Sequence, residues 1–442
     1  MARILWQSYW CNYITEHNEW PLFSNSEQTE ILPDDTTILI PYQHPSYQSS
    51  PKFLLTKLVS SIGNLFTYEQ SDICIDTLLR CLALSRFIYE SDSIQIASFY
   101  VSLALAYLEL KQNYLQAIKH CQNAMKIIDL QRLSFENISS FSAVLLNIKT
   151  SLVFAKSLLL QQKHSESLNL LKQANSDSKL LQTLNPNFRD STHIVFVHYL
   201  KGHVHKSMIK YKSALGDFTA CLELIKHIFG AKEEHTVWPM IEIVEVLIEI
   251  GSFENALGYA EKCYELGRDF EVLKPDVALV LAKLHFTAKS KNAYTNSAKF
   301  YDEWASTVDM EKAQNSSVNF SRLVSNFEQY ILVLSKIGNQ QKTYIILVQL
   351  ISIYTTKYGD MCSEVGNLNR QLGLCYLTEG NVKMGVEQLE QSRRCYDFSL
   401  GKNNKESKNI EQILSRVDPT HKYQTISSEK PQDNKIRFKT IV

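Results

Sequence analysis

"RQLGLCYLTEGN", Arg370 to Asn381, places Gly373 between Leu372 and Leu374 in an otherwise good helix former, then adds a second glycine at Gly380. On a 3.6-residue period Leu372, Gly373 and Tyr376 share one stripe, so the missing side chain at Gly373 faces something that comes very close. Reading on through "NVKMGVEQLEQS", the stripe resumes after Gly380 and Asn381 with Gly385, Leu389 and Ser392. Two amphipathic helices joined by a tight turn are the simplest reading, and the close neighbour is the second helix.

The same grammar recurs upstream. "LALAYLELKQNYLQAIKHCQNA" has Leu103, Ala104 and Tyr107, then Ala117, Cys121 and Ala124, with one extra residue in the turn. "EIVEVLIEIGSFENALGYAEKC" has Ile243, Val244 and Leu247, then Gly251, Ala256, Ala260 and Cys263. Weaker copies fill the gaps. Taking Cys81, Ala124, Ala174, Cys221, Cys263, Ala305, Leu350 and Ser392 as equivalent marks, the intervals are 43, 50, 47, 42, 42, 45 and 42 residues. A period near 42 residues is the signature of stacked repeats, each a helix pair that cannot cover its own apolar face. Small residues at Ala104, Ala117, Ala256, Gly373 and Gly385 are then expected where the two helices of a pair cross.

The Leu-Gly-x-x-Tyr pattern followed by small residues resembles the tetratricopeptide repeat. The long period is similar to the repeats of kinesin light chains. The copies also begin alike, at "RFIYESDS", "KHIFGAKEEH" and "TKYGDMCSE". More closely, "TLLRCLALSRFIYE", "SFYVSLALAYLELKQNYLQAIKHCQNAMKI" and "KYGDMCSEVGNLNRQLGLCYLTEGNVKMGVEQLEQS" resemble the tetratricopeptide repeat protein 23 family. The fold expected is all-α, a right-handed α-solenoid of about eight helix pairs over residues 51–415. A non-repeat segment, 1–50, precedes it, and a polar tail, 416–442, follows. The resemblance implies a protein-interaction scaffold in the cytoplasm at the base of the primary cilium, supporting Hedgehog signalling. Two rivals stand beside it: a motor-cargo adaptor of the kinesin light chain kind, and a regulatory subunit of a separate enzyme. Kinesin light chains carry a long heptad segment ahead of their repeats, and none is visible here.

Composition narrows the classes further. The chain has 442 residues, with 46 lysines and arginines against 46 aspartates and glutamates and a formal net charge of zero. A nucleic-acid or membrane-surface binder would need a basic excess. No secretory or membrane segment is expected: "MARILWQSYW" holds too short an apolar run, and "YIILVQLISIYTTKYG" is broken by Gln349. Nine cysteines are scattered without CxxC pairs, and most fall on packing stripes, so they read as small buried hydrophobes. His193, His198, His203 and His205 crowd "HIVFVHYLKGHVHKS", but His203 with His205, or with His198, points apart on a helix and cannot chelate as an i, i+4 pair would. "SLGKNNKES" lacks the frame of a phosphate loop. No catalytic constellation, metal site, cofactor or small-molecule substrate is expected.

A partner peptide or helix would lie in the concave groove lined by the first helix of each pair, as in the proteins this chain resembles. The residues expected there are Trp238, Ile241, Glu245 and Glu249, then Asn367, Arg370 and Leu374, then Lys149, Leu152 and Lys156, and Phe196, Tyr199 and His203. Trp238 with Tyr199 is the leading pair, since exposed aromatics dominate binding energy. The basic and amide residues of a chaperone-tail clamp do not occur together in one copy. At the ends, Trp6, Tyr9, Trp10 and Tyr13 would share one face of a helix and suit a cap on the solenoid end or a contact with a partner, while Thr440 and Val442 fit a ligand for a PDZ domain.

Overall fold

Six residues with positive φ mark the turns inside the helix pairs: Gln112, Gln162, Ile209, Gly251, Gly338 and Gly380. They are spaced on the period read from the sequence. At each turn the first helix ends and the chain closes back on it by a backbone bond that spans the left-handed residue: Asn113 N–H to Tyr107 C=O, Lys163 to Leu158, Lys210 to His205, Ser252 to Leu247, Asn339 to Leu334, and Asn381 to Tyr376. This is the Schellman arrangement. The extra residue of the first of these turns shows in its longer span, from 107 to 113. Asn339 and Asn381 then cap the second helix, their side-chain oxygens accepting from the N–H of Lys342 and Met384. One residue thus ends one helix and starts the next.

The computed structural model describes residues 50–417 apart from 68–69, 135–140, 185–191, 231–233, 268–269, 271–273, 288–290, 309–316 and 403. The sequence readings at Trp6, Tyr9, Trp10, Tyr13, Thr440 and Val442 lie outside the described residues. Among the described residues there are seventeen α-helices: α1 Pro51–Leu65, α2 Ser71–Ile88, α3 Ile94–Glu109, α4 Tyr114–Ser134, α5 Phe141–Leu160, α6 His164–Leu184, α7 Thr192–Ser207, α8 Tyr211–Phe229, α9 Val237–Ile250, α10 Phe253–Gly267, α11 Lys274–Thr287, α12 Lys291–Ser306, α13 Ser317–Ile337, α14 Gln340–Tyr358, α15 Ser363–Thr378, α16 Val382–Leu400 and α17 Lys405–Val417. The fold is all-α, and α1 to α16 pair sequentially into eight tetratricopeptide-like hairpins. They fall into two compact units, residues 1–307 and 308–442.

In the first unit each first helix packs on its own partner and, from α3 on, also on the second helix of the pair before it, and α3 with α5, α5 with α7, and α9 with α11 also touch. A helix so surrounded must be apolar nearly all round, whereas a second helix with an open back needs only a stripe. The sequence obeys this. α3 buries Ile96, Tyr100, Val101, Leu103 and Leu105, residues that point in every direction, whereas α10 buries only Ala256, Ala260, Cys263 and Gly267. α5, Phe141–Leu160, is by length and composition the one described helix able to cross a membrane, yet it lies mostly buried among α3, α4, α6 and α7.

In the second unit the opening stretch does what its glycines require. A Cβ on Gly373 would lie 2.9 Å from Leu389 Cγ and 3.0 Å from the Gly385 carbonyl oxygen; one on Gly385 would lie 2.6 Å from Leu377 and 3.1 Å from the Gly373 carbonyl oxygen. The two glycines face each other where α15 crosses α16. Ala104, Ala117 and Ala256 are likewise fully buried. Seven of the eight repeat marks are buried, and the mark at Ala305 needs correction. Ala305 is half exposed, and the buried position is Trp304. After the small buried residues Ala293, Ser297 and Ala298, α12 sets Tyr301 and Trp304 at its later core positions, so a search for a small residue there lands one place late. The last described helix, α17, has no pairing helix among the described residues and lays Ile410 and Leu414 against Leu389 and Tyr396 of α16.

Candidate binding face

Across the first unit the edges of successive first helices carry a row of charged and aromatic side chains. Lys156 of α5 meets Glu109 of α3, with Nζ 2.6 Å from Oε1. Lys206 of α7 reaches across to two carboxylates of α9, 3.0 Å to Glu242 and 2.5 Å to Glu245. Beside it His203 Nε2 stands 3.6 Å from Glu242. The ring of Tyr199 meets His203 and Trp238 edge-on, with centroids 4.4 and 4.5 Å apart. The row closes where Tyr211 donates its hydroxyl hydrogen to Glu249 at 3.4 Å.

Electrostatics fixes the charge states. Burial disfavours the ammonium of Lys206, but Glu242 and Glu245 outweigh that cost and raise its pKa above the ordinary range. His203 goes the other way. Burial is the largest effect and lowers its pKa, assisted by Lys206 and Lys156 against the pull of Glu242 and Glu245, so the imidazole is neutral at pH 7. The row is therefore a set of half-buried, mutually satisfied ion pairs with a neutral ring between them. It can offer hydrogen bonds and aromatic edges to a chain lying across it, and it has no activated nucleophile.

The structure brings together only part of the expected surface. Tyr199, His203, Glu245 and Lys156 are half-buried on the row, and Glu249 is exposed at its end. Trp238, Ile241, Lys149, Leu152 and Phe196 are corrected: all five are buried, Trp238 to 2% exposure and Phe196 to 0%. The reason is the contact between each first helix and its neighbours on both sides, which takes up the face assigned to a partner. Asn367 and Leu374 are exposed and Arg370 is half-buried on α15 in the second unit, where Arg370 Nη1 lies 3.7 Å from Glu406 of α17. Sequence reasoning passed over Lys206, Glu242 and Glu109. The spacing of Glu242, Glu245 and Glu249 along one stripe of α9 was the available signal.

The other side of α7 separates the histidines. His198 and His205, seven residues apart, both turn Nδ1 toward Asp217 of α8, at 3.4 and 2.7 Å, while His203 turns to α9. Among the described residues no group of three metal-ligating side chains forms. Cys74, Cys81, Cys121, Cys221, Cys263 and Cys395 are buried, and burial pushes the thiols of Cys81 and Cys263 up to about 12. They pack as small apolar groups.

No protein-family model matches the chain. It is 23% identical over 398 residues to human tetratricopeptide repeat protein 23, covering 87% of this chain and 85% of that one. The chain is a distant homologue of tetratricopeptide repeat protein 23. The rat protein of that family is likewise 23% identical, over 83% of this chain and 82% of its own. Among solved structures, a Rap protein complexed with competence and sporulation factor covers 83% of this chain and 97% of its own at 11% identity, with a TM-score of 0.46. Kinesin light chain repeats of Podospora anserina cover 52% of this chain and 99% of their own at 12% identity, with a TM-score of 0.38.

Proposed function

We propose that this chain is a non-enzymatic scaffold that holds a peptide or helix of a partner protein along the first-helix row of its first unit. The observation that carries the reading is the side-chain row itself, in which Glu109, Lys156, His203, Lys206, Glu242 and Glu245 run across four successive first helices, ammonium groups paired with carboxylates and Tyr199 among them. Repeat stacking supplies a long, rigid edge, and specificity on such an edge comes from a few aromatic and charged anchors. The likeness to tetratricopeptide repeat protein 23 supports a setting at the base of the primary cilium, in Hedgehog signalling, with ciliary-base proteins as partners.

Proximity labelling in ciliated cells with Glu245→Lys/Glu249→Lys against the parent chain tests the reading. Trp238 is left intact, because its truncation would open the core at a cost of about 3 to 5 kcal/mol. Loss of a defined set of neighbours from the labelled proteins is expected. An unchanged set in a variant that still folds would falsify the row as the binding face, and a stoichiometric catalytic subunit among the neighbours would favour the regulatory-subunit reading.

A further inference from the structure

From α3–α4 to α9–α10, every turn inside a helix pair leaves at least one large apolar side chain in solvent. Leu115 opens α4, Leu160 ends α5, Ile209 sits in the α7–α8 turn and Phe253 opens α10; all are exposed, Ile209 most, at 72%. Side chains tie neighbouring turns into one edge. Lys111, in the α3–α4 turn, lies 2.7 Å from Asp72 at the start of α2, and Tyr211, just past the α7–α8 turn, reaches Glu249 near the end of α9. Ile209 holds φ at 59° and is the one β-branched residue among the six left-handed turn positions. Backbone strain spent on an apolar side chain left in solvent points to a surface kept for another molecule.

This edge borders the charged row, since Glu109 is the last residue of α3 and Lys156, Lys206 and Glu249 lie within a turn of the ends of α5, α7 and α9. Its own charges change sign along its length. Lys163, Lys210 and Lys212 stand exposed around Leu160 and Ile209, with the carboxylate of Glu166 beside them, whereas Glu249 and Glu254 stand exposed beside Phe253. Helices in contact lie about 8 to 10 Å apart, and an α-helix advances about 10.5 Å in seven residues. A helix laid along the edge therefore meets successive turns with residues of one face. A strand, at about 3.3 Å per residue, would reach them with alternate faces. We propose that the turn edge of the first unit takes an amphipathic helix of a partner protein. Its apolar residues, one in every seven, rest on Leu115, Leu160, Ile209 and Phe253, its carboxylates lie beside Lys163, Lys210 and Lys212, and its cations beside Glu249 and Glu254. The inference rests on the scaffold reading above and names the chemistry of the partner.

Photocrosslinking in ciliated cells tests this, with p-benzoylphenylalanine in the full chain in place of Ile209 and, as the control, in place of Phe87, an exposed ring at the far end of α2. Position 209, and not 87, is expected to capture a segment of another protein that carries an apolar residue at every seventh position, with carboxylates toward one end and cations toward the other. A synthetic peptide of that segment should bind the purified chain, and Leu160→Ser and Ile209→Gly should each weaken it by about tenfold. Ile209→Gly should do so without loss of stability. No adduct at 209, or one to a segment without that spacing, to lipid, to a second copy or to this chain's own residues, would overturn the proposal. So would a peptide that binds both variants as tightly as the parent. If Glu245→Lys/Glu249→Lys changes the labelled neighbours while position 209 captures nothing, the charged row stands and the turn edge falls, so the two failures are told apart.

Discussion

Gly373 and Gly216 are both helical glycines, yet opposite outcomes are expected when each is given a methyl group. At Gly373 the new atom would meet Leu389 and the Gly385 carbonyl, so α15 and α16 must part, at a cost of about 1 to 3 kcal/mol. At Gly216, on α8, it meets nothing within 4 Å, and the loss of unfolded-state freedom favours the variant by roughly 0.5 to 1 kcal/mol. Urea denaturation of Gly373→Ala and Gly216→Ala reads both signs. Equal shifts would show that the glycine stripe does not mark a crossing. The same scale explains the cysteines: Cys81, Cys121 and Cys263 should resist alkylation in the native chain, because a buried thiol is not a thiolate at neutral pH.

At the scale of the element, the turn between the helices of a pair demands a left-handed residue, and the chain meets that demand unevenly. Gly251, Gly338 and Gly380 adopt it freely, whereas Ile209 holds φ at 59° with a β-branched side chain that is 72% exposed. An L-residue in that region costs about 1 to 2 kcal/mol. Ile209→Gly is therefore expected to raise stability by roughly 1 kcal/mol, less what glycine loses in unfolded-state entropy. A lower thermal midpoint in that variant would mean the isoleucine makes a contact that outweighs its backbone. Asn381→Ala should act oppositely, since it removes the side-chain acceptor that caps α16, at about 1 kcal/mol.

For the whole molecule, burial leaves a pH signature. His120, His203 and His285 each have a pKa lowered first by burial, so the folded chain keeps them neutral where the unfolded chain, with histidine near 6.5, takes up protons. The unfolded state then binds more protons below that pH, and stability falls as pH drops through 6.5 toward the lower folded values. A denaturation midpoint at pH 5.5 below that at pH 7.5 is expected. His203→Gln should shrink the difference. An unchanged midpoint between the two pH values would contradict this account of the three rings.

Local pattern was enough for the helix pairs, their period and their crossings, because 3.6-residue spacing and small-residue stripes are written along the chain and need no knowledge of neighbours. It even showed the extra residue in the turn before Asn113. It failed at Ala305, where aromatics replaced the small mark, and at Trp238, Ile241, Lys149, Leu152 and Phe196, all assigned to a surface and all found in the core. The cause is the same throughout. Which face of a first helix is free depends on the helices before and after it, and on pairs such as Lys206 with Glu242 and Glu245 that lie some forty residues apart. Periodicity within one helix carries no record of those contacts; only packing between repeats decides them.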